Sequence, residues 1–173
     1  MFKNAYFAGG CFWCTESIFQ RVKGVSSVIP GYMGGYIKNP SYHEVCSGKT
    51  GHTETIKITY DKNIISYSKL LEIFFFTHDP TKLNRQGNDV GTQYRSAVFF
   101  ENQSEKKQIL ESISIFEKKK IYNESFVTEI NKKIEFYDAE TEHHDYYNQN
   151  KSQSYCQFVI RPKIKKFENL LNK

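Results

Sequence analysis

A two-layer α+β fold is predicted by the order in which hydrophobic periodicity changes along the chain: strand, helix, strand, strand, helix, strand, then a helix and two more strands. The first six elements match the split β-α-β, or ferredoxin-like, plan, an α/β sandwich in which helices cover one face of a mostly antiparallel mixed sheet. Length agrees, because 173 residues can bury a substantial core without disulfide or metal staples. No repeat or linker divides the chain, so residues 1–173 are expected to form one domain. Residues 148–173 are read as an extended C-terminal tail carrying Cys156.

The elements follow in order. Residues 4–8 are a short apolar and aromatic run that ends at Gly9-Gly10, and 15–23 place Ile18, Phe19 and Val22 at helical spacing. Residues 25–30 are β-branched; Gly31, Gly34, Gly35 and Asn39-Pro40 then open a long loop before an alternating strand over 52–60. A helix is predicted over 64–76, with Ser66 or Ser68 as its N-cap and His78-Asp79-Pro80 as its stop. After a loop through Gly91, residues 96–100 read as a buried strand, 104–119 as an amphipathic helix, and 126–130 and 134–137 as strands. The stretch 148–154, rich in Asn, Gln and Ser, is expected to be mobile.

Composition excludes several classes. Aromatic residues form 16% of the chain and charged residues 25%, which argues against disorder and membrane-spanning structure. The formal charge of +5 is concentrated at Lys118-Lys119-Lys120 and over 161–166, but neither run carries aromatic platforms or a docking motif. Solvated helix faces explain them better than nucleic acid does. No apolar stretch of signal-peptide length precedes residue 11 and no run reaches membrane-spanning length, so a cytoplasmic protein is expected. In that reducing setting Cys11, Cys14, Cys46 and Cys156 are thiols available for chemistry.

Gly9-Gly10 allows a sharp turn that puts Cys11 at the start of the following helix. There the helix dipole and free amides favour an anion, so the Cys11 thiol is expected to ionise more easily than a free cysteine and to act as a nucleophile. A Cys-x-x-Cys pair is also a metal half-site, but Cys46 and His52 are six apart and His143-His144 are adjacent, neither being the usual partner pair. No zinc is expected. A thioredoxin-like disulfide oxidoreductase shares this pair at a helix start and is the alternative reading.

Gly10-Cys11-Phe12-Trp13, Gly31-Tyr-Met-Gly34-Gly35, Tyr42-His-Glu-Val-Cys46-Ser-Gly48, Gly51-His52-Thr-Glu54 and the stretch from Gly87 to Ser96 resemble, in order, the methionine sulfoxide reductase A family. The resemblance continues through Phe136-Tyr137-Asp-Ala-Glu140, His143 and Tyr155-Cys156. It implies that Cys11 attacks the sulfoxide sulfur, that Phe12 and Trp13 wall a pocket for the methyl group, and that Glu54, Tyr42 and Tyr94 surround the oxygen. Asp89 and His143 resemble family positions near the substrate-binding site, which implies that they orient tyrosines or shape the thiolate's field, a purely structural role being the alternative. The residue types suit the task, since a sulfoxide presents a polar oxygen and an apolar methyl, and its oxygen needs a proton from an acid that burial can tune.

Oxygen transfer would leave Cys11 as a sulfenic acid, which a second thiol condenses to a disulfide. Cys14, one helical turn away, and Cys156, at the position of the family's C-terminal resolving cysteine, both qualify. The family often has Asn-Pro where this chain has Asn150-Lys151, which removes a rigid turn ahead of Cys156. The resemblance further implies the S epimer as substrate, free or within proteins, no cofactor, and an external reductant such as thioredoxin or dithiothreitol. A monomer that repairs oxidised proteins, without nucleic-acid or membrane partners, completes the expectation.

Overall fold

A computed structural model describes residues 1–172. In chain order it contains β1 (Phe2–Ala8), α1 (Phe12–Phe19), β2 (Val25–Met33), α2 (Tyr42–Cys46), β3 (Thr53–Asp61), α3 (Tyr67–Thr77), β4 (Arg85–Gln86), β5 (Asp89–Val90), β6 (Ala97–Phe100), α4 (Gln103–Lys118), β7 (Glu129–Lys132), β8 (Tyr137–Asp138), α5 (Tyr146–Gln149) and α6 (Arg161–Leu171). A π turn, Cys156–Ile160, runs directly into α6.

Six strands form one sheet in the order β7-β6-β1-β3-β2-β8, while β4 and β5 make a separate two-stranded ladder. Every pairing in the large sheet is antiparallel except β6 with β7, whose parallel alignment is made possible by the α4 crossover. The mixed, mostly antiparallel sheet expected from the sequence is therefore present. Alternation divides its faces: Ala5 and Phe7 of β1 join the main core with Ile56 and Ile58 of β3, whereas Tyr6 and Ala8 join Met33, Ala97 and Phe99 on the other side. The larger core lies under the helices, with Ile18, Phe19, Leu70, Phe74 and Ile109 fully buried.

Local chemistry explains the helix starts. Ser66 caps α3 by accepting the Lys69 amide, and Asn102 caps α4 by accepting the Glu105 amide. Ser41 and Glu44 form a reciprocal capping box at α2, a helix the periodicity reading passed over because five residues are too few to show a period.

The C-terminal stretch differs from expectation. Residues 148–172 are not extended but mostly helical, and the Asn and Gln side chains thought to loosen 148–154 are spent as local acceptors and donors, Gln153 capping the Cys156 amide at 3.1 Å. Ile160 of the π turn and Ile164 and Phe167 of α6 are buried, which fixes the segment against α1. Arg161, Lys165 and Lys166 point to solvent, as do Lys118, Lys119 and Lys120 after α4. Among the described residues no helix is long and apolar enough to cross a membrane.

Sheet order brings the expected site together. The C-terminal end of β1, the N-terminal end of β3 and the approach to β6 share one edge, with Glu54 opposite Tyr32 and Ala8 opposite Ala97.

Candidate active site

The turn from β1 into α1 fixes the first thiol. Gly10 has φ +81°, and its amide donates to the Tyr94 carbonyl at 3.2 Å, tying the turn to the strand approach that carries Tyr94. A side chain at Gly9 would meet the Phe74 and His78 rings at 2.9 Å. Cys11 stands at the N-cap of α1 with no side-chain cap bond and is buried.

Burial works against the acidity expected of it. Burial pushes the Cys11 thiol well above its ordinary value, followed by its hydrogen bond with Cys14 and the charge of Glu54, so the helix start does not prevail against the loss of water. Cys14 is drawn down to about 7 by the hydrogen bond from Cys11, helped by the charge of Lys163 and opposed by burial. The two thiols titrate as one coupled pair, with a single proton shared between them.

Glu54 reaches the same place from β3. It is 1% exposed, and its Oε1 accepts the Phe12 amide of α1 at 3.0 Å. Oε2 is buried with no hydrogen-bond partner. Burial raises this carboxyl to about 8, against the pull of the Phe12 amide, so it carries a proton at neutral pH. A protonated acid with one oxygen already held and the other free is suited to donating to an oxygen that enters the site.

Aromatic rings enclose the approach. Phe12 is fully buried and lies 5.7 Å from the Tyr32 ring and 6.2 Å from that of Tyr42. Trp13 donates its indole N–H to Nδ1 of His143 at 3.1 Å, and the Tyr42 ring centroid is 4.2 Å from that imidazole. Burial lowers the His143 pKa, which keeps Nδ1 free to accept. Tyr42 and Tyr94 are raised by burial and then by the Glu54 charge, so both remain hydroxyl donors. Asp89 acts through a neighbour, its Oδ2 accepting the Tyr155 hydroxyl proton, and that hydroxyl oxygen lies 3.7 Å from Cys14 Sγ.

Cys156 follows Tyr155 in the π turn, with no exposed surface, and burial, followed by the charge of nearby Cys14, raises its pKa. All four cysteines are free. The ten residues singled out in the sequence thus lie in one neighbourhood. Three further participants carry no assignment from the sequence. Glu140 accepts the Tyr32 hydroxyl at 2.9 Å and the Tyr42 amide at 2.8 Å; Tyr155 links Asp89 to Cys14; and Tyr146 stacks on Trp13. Glu140 and Tyr155 belong to motifs that were legible, whereas Tyr146 has no local signal. Among the described residues, no cluster of three or more His, Cys, Asp or Glu could hold a metal ion.

A family model described as peptide methionine sulfoxide reductase matches residues 3–173. The peptide methionine sulfoxide reductase MsrA of Saccharolobus solfataricus is 53% identical over 166 residues, covering 96% of this chain and 93% of the relative. That of Sulfolobus acidocaldarius is 53% identical, covering 94% and 92%. Among solved structures, the reduced form of Mxr1 from Saccharomyces cerevisiae superposes with a TM-score of 0.84 at 31% identity, over 90% of this chain and 89% of the other. Methionine sulfoxide reductase A of Corynebacterium diphtheriae gives 0.77 at 32% identity, over 86% and 75%.

Proposed function

The chain belongs to the peptide methionine sulfoxide reductase family, and from that premise we propose that it reduces methionine S-sulfoxide, free or in proteins, with Cys11 as nucleophile and Glu54 as acid. The observation that carries the assignment is the Glu54 carboxyl: buried, protonated at neutral pH, bonded to the amide beside Cys11 and open at its second oxygen.

The buried Cys11–Cys14 pair titrates as a unit; sharing one proton, it presents Cys11 as the thiolate with the proton on Cys14, and the Cys11 sulfur attacks the sulfoxide sulfur. Glu54 donates its proton to the sulfoxide oxygen, with Tyr42 and Tyr94 donating hydrogen bonds beside it. The protonated oxygen then passes from the methionine sulfur to the Cys11 sulfur as the bond between the two sulfurs breaks, which releases methionine as the thioether and leaves Cys11 as a sulfenic acid. The Cys14 thiol then attacks the Cys11 sulfur, water leaves, and a Cys11–Cys14 disulfide forms. Exchange with Cys156 passes the bond to Cys14–Cys156 and frees Cys11. Thioredoxin, or dithiothreitol in its place, supplies two electrons to close the cycle. Phe12 and Trp13 receive the methyl group, Asp89 orients Tyr155, and His143 orients Trp13.

Supporting the finer reading of the fold, the strands β6-β1-β3-β2 follow the order of a ferredoxin-like sandwich, with β7 and β8 added at its edges. A single catalytic domain, working as a cytoplasmic monomer in repair of oxidised proteins without a cofactor or a nucleic-acid or membrane partner, fits this chemistry.

The test is production of methionine from a methionine sulfoxide peptide in a single-turnover assay, with prereduced protein and no reductant in solution. Cys11→Ser is expected to form none, while Cys14→Ser and Cys156→Ser each complete a single stoichiometric turnover. Full activity in Cys11→Ser would sink the assignment. Mass mapping after one turnover of the wild type should find Cys14 in the disulfide; a direct Cys11–Cys156 bond alone would remove it as resolver.

A further inference from the structure

Glu16 lies on α1 beyond the nucleophile and has no part in the reaction above, yet it is 2% exposed. A glutamate is rarely so buried without a specific partner. Here the partner is backbone: Oε2 accepts the Asp145 amide at 3.0 Å, and burial, raising the carboxyl to about 7, is opposed by the amides of Asp145 and Tyr146.

Asp145 is a strained point. It stands at φ +56°, a left-handed conformation unusual for a residue with a side chain, immediately before α5. Its own Oδ1 accepts from Gln20 Nε2 at 3.0 Å and from Asn148 Nδ2 at 2.7 Å. The next residue, Tyr146, lies flat on Trp13, with ring centroids 3.7 Å apart and planes 8° from parallel. His143, which takes the Trp13 indole N–H, is two residues before the same turn.

We propose that Glu16 is a positioning residue for substrate binding: by pinning the left-handed turn at Asp145 it holds Tyr146 against Trp13 and fixes the indole that receives the sulfoxide's methyl group. The inference rests on the reading of Trp13 as the methyl wall. A half-buried indole has two side-chain torsions to settle, and here both of its anchors, the His143 nitrogen and the Tyr146 ring, hang on residues flanking one turn. With its carboxyl raised to about 7, Glu16 is partly protonated at neutral pH, and in either form it keeps an oxygen that accepts from the amide of the turn.

Trp13 is the single tryptophan of the chain, so its emission reports the stack directly. Glu16→Ala is expected to shift that emission in the substrate-free protein. It should also raise KM for a methionine sulfoxide peptide by about three- to tenfold, with the single-turnover rate at saturation within about twofold of wild type, because a lost wall weakens ground and transition state alike. Glu16→Gln keeps a carbonyl oxygen for the Asp145 amide and should restore most of both properties. Tyr146→Ala should reproduce the alanine phenotype, and adding Glu16→Ala to it should change KM no further. Unaltered emission and KM in folded Glu16→Ala, or additive effects in the double variant, would overturn the proposal. If that helix does not tolerate alanine, Glu16→Met, which fills the same space without an acceptor for the Asp145 amide, replaces it, with the same shifts expected and wild-type values in both readouts overturning the idea. An emission shift in a protein whose wild type lacked sulfoxide reductase activity would support the pin while overturning the function it serves.

Discussion

Glu54 holds its proton through neutral pH because burial opposes its charge more strongly than the Phe12 amide favours it. An acid must be protonated to act, so the wild-type chemical step should slow as pH rises through about 8. Glu54→Gln should be slower by about 100-fold or more at pH 7 and should lose that dependence, as single-turnover rates across pH would reveal. A parallel decline in the glutamine variant would assign the dependence elsewhere. At this scale the sequence was a good guide to which residues meet, since their motifs fix their place. It was a poor guide to their protonation. The helix start at Cys11 argued for an acidic thiol, but the burial that opposes this, leaving 7% of the residue exposed, comes from chain segments far from residue 11. Nor does any local pattern reveal that Tyr146 would cover Trp13.

The π turn and α6 act together as an element that stores Cys156 out of water. Ile164 anchors it from one side, and Ile164→Ala should cost about 3 kcal/mol if the cavity does not collapse. Modification by a small disulfide reagent would read the consequence: Cys46, half-buried, should react before Cys156 in the wild type, and Ile164→Ala should accelerate Cys156 selectively. Equal reactivity of the two thiols in the native protein would contradict the burial. Long elements with strong periods were legible here, α3 to within three residues, with Ser66 one of its two candidate caps, and β3 to within a residue. Short ones were not: α2 announced itself only through Ser41 and Glu44, and the two-residue strands β4 and β5 exist through pairing across Gly87, which no periodicity can register. The polar 148–154 run misled because its composition fits both a loose linker and a chain of local caps, and only the packing of α6 on α1 decides between them.

Across the whole molecule, buried titratable groups link stability to pH. Glu54 and Glu16 have folded values near 8 and 7, above the unfolded 4.5, so the native state binds extra protons between those limits and each carboxyl costs stability as pH climbs through them. His78, buried between the Phe74 carbonyl and Ser96, falls to about 4 and has the opposite slope, losing stability below its ordinary 6.5. Two carboxyls outweigh one imidazole, so Tm should be lower at pH 8.5 than at pH 6, and Glu54→Gln should reduce that difference. A Tm that rises toward pH 8.5 would contradict the balance. The sheet's overall plan was readable because β-α-β-β-α-β order and chain length leave few ways to cover one face with helices. Its two outermost strands were less so, and they have a consequence for how copies of the molecule meet. β8 is two residues long, and β7 places Glu129 and Lys132 in a four-residue span. Neither margin offers a neighbour a long, flat, uncharged ladder to extend, so crowded chains should meet through hydrated, charged rims and resist fibril-like stacking even with an aromatic-rich interior.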